Sequence, residues 1–122
     1  MILNEYELEE VVEKVKVAFP HLTDWEWNNE KNSLYFGFAI WGKLILEPDN
    51  LMSKEYFITL ETYENNWRGV LTIGLHSYLW SSADVGDAHL LSTDDCDTVD
   101  EAIKALKNQI YDLGKALSAI NE

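Results

Sequence analysis

Only one cysteine, Cys96, stands among the 122 residues of this chain. That excludes an intrachain disulfide framework and a zinc cage built from cysteines. Arginine is equally scarce. Arg68 is alone, so an anionic substrate would lack the forked clamp that arginines offer to phosphates and carboxylates. The six glycines form neither a G-x-G-x-x-G fingerprint nor a P-loop, which removes nucleotide-dependent chemistry from the expected functions. There is no G-x-S-x-G elbow and no Ser-x-x-Lys pair for nucleophilic catalysis. No apolar run approaches the ~18 residues of a membrane span. Residues 1–5 show no basic region leading into an apolar stretch, so no signal peptide is expected. A reducing cytoplasm is the expected compartment.

What the chain has in quantity is aromatic and acidic side chains. Five Trp, six Tyr and four Phe, with only two prolines, are not the composition of a disordered polymer. A chain this long buries roughly two-thirds of its unfolded surface, so one domain over residues 1–122 is expected to fold without staples. Twenty-two Asp and Glu against nine Lys and Arg give a net charge of −13. Nucleic acid and anionic membrane, both drawn to basic patches, are therefore not expected as direct partners. A basic protein surface is the better match, although the same charge also serves plain solubility. The acid is unevenly spread: residues 1–30 carry −6, residues 31–60 balance, residues 61–90 carry −3 and residues 91–122 carry −4.

Both ends read as helices. Asn4 and Glu7 make a capping-box pattern, with Leu3 and Leu8 in the staple positions. Leu8, Val11, Val12, Val15 and Phe19 then recur at helical spacing until Pro20. Near the other end, Thr98 and Glu101 make a second capping box. Asp100 there suits the helix dipole. Val99, Ala102, Ile103, Leu106, Ile110, Leu113, Leu117 and Ile120 form a stripe expected to face the core.

Between the helices the period becomes two. Trp25 and Trp27 alternate with Asp24, Glu26 and Asn28, and residues 28–32 read as a turn. Residues 34–40 are apolar on both faces, as in a central strand. Trp41-Gly42 reads as either a tight turn or a bulge before residues 43–47. A hairpin turning on Asn65-Asn66 pairs Leu60 with Leu71, Ile58 with Ile73 and Tyr56 with Leu75 on one face. Its other face pairs Phe57 with Gly74, Thr59 with Thr72, Glu61 with Val70 and Tyr63 with Arg68. Residues 77–92 extend this as a meander, with a loop at 81–87 and a short strand after it. The expected fold is α+β: a mostly antiparallel meander of about five strands between two terminal helices that pack on one face.

Chemistry is less well marked. Asp94, Asp95 and Asp97 surround Cys96, and their charge raises a thiol pKa and suppresses its reactivity. Asp84, Asp87 and His89, with His76, could ligate a metal, but Asp and Gly are ordinary turn residues there. An EF-hand register beginning at Asp95 fails, because Asp100 falls where glycine is required and Leu106 where the bidentate glutamate belongs. His21 follows Pro20 in a turn and reads as solvated. The acids supply many accidental carboxylate pairs, so a glycosidase reading has no specificity. No catalytic residues, metal or cofactor are expected.

A different pattern suggests binding. Glu55, Phe57, Glu61, Tyr63 and Arg68 share the outer hairpin face, and Glu26 joins them between two tryptophans. Rings among carboxylates suit a basic partner, since rings anchor and acids steer. The expectation is a non-enzymatic, stoichiometric inhibitor or immunity-type protein that masks a basic toxin or nucleic-acid-processing enzyme. Its profile overlaps that of nucleic-acid mimics, but the neutral middle third argues against a full mimic. A small acidic secretion or assembly chaperone is the second reading, weakened because the connection around residues 47–53 is too short for a helix. A small metal-dependent enzyme is the third.

Overall fold

A computed structural model describes residues 2–29, 37–45, 49, 54–75 and 88–122. Helix α1 (Glu5–Ala18) leads into strands β1 (Thr23–Asn29), β2 (Phe38–Ile45), β3 (Lys54–Tyr63), β4 (Asn66–Leu75) and β5 (Ala88–Ser92), and helix α2 (Val99–Ile120) closes the order. The strands form one antiparallel sheet in the order β1-β2-β3-β4-β5, a meander. The expected α+β architecture is the observed one.

Each helix begins where its capping residues place it. The Asn4 carboxamide accepts from the Glu7 N–H at 2.8 Å, while the Glu7 carboxylate accepts from the Asn4 N–H at 3.1 Å. Thr98 Oγ1 accepts from the Glu101 N–H at 3.1 Å. These bonds satisfy donors that every helix N-terminus otherwise leaves open. Asn29 pins the chain ahead of α1 to the end of β1, accepting from the Leu3 N–H at 2.9 Å and donating to the Leu3 carbonyl at 2.8 Å.

The core lies between the two helices and one sheet face. Val11 and Val15 from α1, Phe19 just past its end, and Val99, Ala102 and Leu106 from α2 meet Phe38, Ile40, Ile58, Leu60, Trp67 and Leu71. Gly69 faces this core, and a Cβ there would sit 3.1 Å from Leu106, so the missing side chain lets α2 settle against β4. The α2 stripe serves the core as far as Leu113, and its last two members, Leu117 and Ile120, are exposed. A 22-residue helix is about 33 Å long, and its last turns outrun the core.

The sequence-based hairpin is right about faces and wrong about partners. The turn is Glu64-Asn65, with Tyr63 opposite Asn66, so Leu60 faces Gly69, Ile58 faces Leu71 and Tyr56 faces Ile73. A slip of two positions keeps every side chain on its expected face. The observed register places Glu61 opposite Arg68 and Thr62 opposite Trp67. It sets Glu64 at φ 57°, where Asn or Gly is the usual choice. Trp41-Gly42 is neither turn nor bulge, since β2 pairs with β3 without interruption from Ala39 to Ile45. Gly42 is needed for another reason: a Cβ would come within 2.7 Å of the Trp25 ring that lies across it.

Two threonines finish the buried polar bookkeeping. Thr62 Oγ1 accepts from the Phe38 N–H at 3.0 Å and donates to the Phe38 carbonyl at 3.3 Å. Thr93 Oγ1 accepts from the Gly69 N–H at 3.0 Å and donates to the Asp94 carbonyl at 2.9 Å. Beyond Thr93 the chain stays on β4, where Trp67 and Cys96 exchange backbone bonds at 2.7 and 2.8 Å. Of the turn expected at residues 28–32, Asn28 and Asn29 instead continue β1, paired with Ala39 and Phe38. Residues 30–32 of that turn, the run at 34–36, residues 46–48, and the expected meander extension and loop at 77–87 lie outside the described residues. Among the described residues no helix is long and apolar enough to cross a membrane.

Candidate protein-binding face

Strand alternation sorts the side chains of the sheet onto two faces. Residues opposite Trp41, Phe57 and Arg68 share the face that the helices leave open. Glu26, Glu55, Phe57, Glu61, Tyr63 and Arg68 all stand on it. The six residues expected to bind are therefore brought to one surface by β1, β3 and β4.

Their environments differ. Arg68 donates to one carboxylate oxygen of Glu61 from Nε at 3.1 Å and from Nη2 at 2.7 Å. Lys43 on β2 lies between Asp24 at 3.5 Å and Glu55 at 3.7 Å. Trp41 Nε1 donates to Glu26 at 3.2 Å. Lys43 and Trp41 are parts of this face that sequence pattern alone missed. Their cross-strand places follow only from the β1–β2 and β2–β3 registers. Tyr63 is 53% exposed at the hairpin end.

Phe57 corrects the sequence reading. It lies on the open face as expected, but it is only 8% exposed and so does not stand outward as a contact residue. β3 is the central strand, so Phe57 has Lys43 on one side and Thr72 on the other. Ala39 on the same face is also buried. Of the two tryptophans that flank Glu26, Trp25 packs against the core and Trp27 is exposed on the helix side.

The acid is concentrated elsewhere. Glu5, Glu7, Glu9, Glu10 and Glu13 are all exposed on α1, as are Asp94, Asp95, Asp97, Asp100 and Glu101 around the start of α2. A cleft of about 290 Å³ separates these two groups, floored by Leu3, Val11, Trp67 and Val99. Lys14 bridges it, bonding Asp100 at 3.0 Å and Glu10 at 3.3 Å. Those two carboxylates, Asp100 foremost, hold its ammonium pKa above the usual lysine range.

Burial, reinforced by the charges of Glu101, Asp94 and Asp95, pushes the Cys96 thiol up. Such a thiol is a poor nucleophile at neutral pH. Among the described residues no three His, Cys, Asp or Glu side chains converge as metal ligands. His89 is exposed on β5, while Asp84, Asp87 and His76 lie outside the described residues. No family model matches this chain, and neither a curated protein nor a solved structure shows significant similarity to it.

Proposed function

We propose that this chain is an acidic protein-binding module, a stoichiometric inhibitor or immunity-type protein that masks a basic surface of a partner enzyme. The observation that carries this reading is the meeting of Glu26, Glu55, Glu61, Tyr63 and Arg68 on one helix-free face of a chain with net charge −13. The acidic shell of α1 and the α2 start steers a positive partner, and the open face supplies the contact. Phe57 supports that face from beneath, and Tyr63 is its exposed ring. The partner class is a basic toxin or nucleic-acid-processing enzyme, and the action is steric masking rather than catalysis.

Long-range attraction of this kind speeds association and weakens steeply with salt. The test is co-purification from the native host at low and high salt, followed by reconstitution of the retained protein with the pure chain. The expected result is a one-to-one complex with a basic protein whose association rate falls by about tenfold or more as salt rises. Retention of an unfolded or extended client, unaffected by salt, would instead favour a chaperone and overturn this reading.

A further inference from the structure

β1 is an edge strand. β2 pairs with one side of it, and among the described residues no strand lies on the other. Open edges are templates for other chains, and proteins ordinarily blunt them. Here the blunting is confined to the start of the strand: Asp24 has φ 55°, and the register slips between Thr23 and Glu26. From residue 26 to residue 29 the pairing with β2 is unbroken. Alternate residues of that stretch turn their N–H and C=O groups away from β2.

Within residues 26–29 the only charge is that of Glu26, which leaves the edge open to a segment of opposite sign. β1 carries no lysine and no proline. Trp27 is 43% exposed on the helix side. Trp41 stands opposite Glu26 on the other side. An open groove of about 740 Å³ runs around the strand between these rings.

Charge selects the occupant. Glu26 is exposed, and no cation among the described residues pairs with it. The ammonium of Lys16 already lies 5.4 Å from the Trp27 ring centre, so this ring is placed to face a cation. Lys16 belongs to α1, whose exposed glutamates stand close by in the chain. A second copy would bring together two chains of net charge −13. We propose that residues 26–29 of β1 accept an extended, arginine- or lysine-bearing segment of a partner protein as a sixth strand. Backbone bonds hold such a segment, and its alternating side chains reach both faces. Those on one face meet Glu26 beside Trp41, and those on the other lie over Trp27. This rests on the acidic-binder reading and names the element that docks.

Two short peptides of equal length test it with the full chain, one alternating arginine with valine and the other glutamate with valine. With the arginine peptide, amide exchange should slow by about tenfold or more at those residues of 26–29 whose N–H groups face away from β2, and the indole N–H signals of Trp27 and Trp41 should shift. The glutamate peptide should do neither. Trp27→Ala and Glu26→Gln should each weaken binding of the arginine peptide by about tenfold. Glutamine keeps an acceptor for Trp41, so its effect reads the lost charge. Binding of the arginine peptide without slowed exchange in β1, or with equal affinity for both variants, overturns the edge proposal and leaves the acidic-binder reading standing. Slowed exchange in β1 that depends on protein concentration without peptide makes the edge a self-association site, and also overturns it. If neither the arginine peptide nor any basic protein binds, both readings fall together.

Discussion

Both faces of the sheet withdraw side chains from water near the central strand, but by different means. On the helix side, aliphatic and aromatic groups fill the space: Phe38, Ile40 and Leu60 are fully buried against Val15, Ala102 and Leu106. On the open side, charged groups stand between apolar ones. The Glu55 and Glu61 side chains are only 17% and 18% exposed, and each has a cation within 4 Å, Lys43 and Arg68. A carboxylate withdrawn from water needs such a partner, because an unpaired one is costly to bury. Phe57 sits between these pairs at 8% exposure, and Ala39 lies across from Glu61 at 3%. A sheet face without a helix is therefore not simply a solvent face. It is a mosaic in which packing and ion pairs share the work.

Two residues of one strand distinguish these faces most directly. Leu60→Ala should cost ~2–5 kcal/mol as a truncation in the helix-side core, where Leu60 is 0% exposed. Phe57→Ala, on the opposite face, should cost ~3–5 kcal/mol by the same mechanism. Urea unfolding of the two variants measures both. A near-neutral Phe57→Ala would show that the open face is surface after all. Next comes Gly42→Ala, with an expected loss of about 1–3 kcal/mol, since the added methyl meets the Trp25 ring and overpacking costs that much. Thermal unfolding reads the loss. The tryptophan emission should change with it as Trp25 is displaced. An unchanged spectrum and melting point would mean that Trp25 is not seated on β2.

Much of this fold was legible because local signals agreed with one another. Asn4–Glu7 and Thr98–Glu101 mark both helix starts where the caps form. Alternation separated Leu60 and Ile58 from Glu61 and Phe57 correctly. Register was not legible, since turn preference pointed to two asparagines while Glu61–Arg68 pairing and the Gly69–Leu106 contact reward a slip of two. A side chain's face follows from parity, but its burial depends on what stands across the strands, which is why Phe57 was placed correctly and its exposure was not. Trp41 and Lys43 could not be joined to the candidate site without the β1–β2 and β2–β3 registers. The raised Cys96 pKa was legible in direction. Its first cause, burial, was not legible, because it depends on Cys96 packing against the core.

The smallest stability effect belongs to the residue with the most direct functional consequence. Tyr63 shares strand and face with Phe57, yet it stands at the hairpin end and is 53% exposed, opposite Asn66 rather than between two flanking strands. Its ring contributes little to folding, so Tyr63→Ala should change stability by no more than about 0.5 kcal/mol. An exposed ring on a contact surface is also where binding energy concentrates, so the same change should weaken a basic partner by about tenfold or more. Chemical denaturation and a binding titration on one sample separate the two quantities. If stability falls as far as it does for Phe57→Ala, the ring is part of the fold and the open face loses its anchor. If neither quantity moves, the partner contacts some other surface, and the acidic shell around α1 and the start of α2 becomes the place to look.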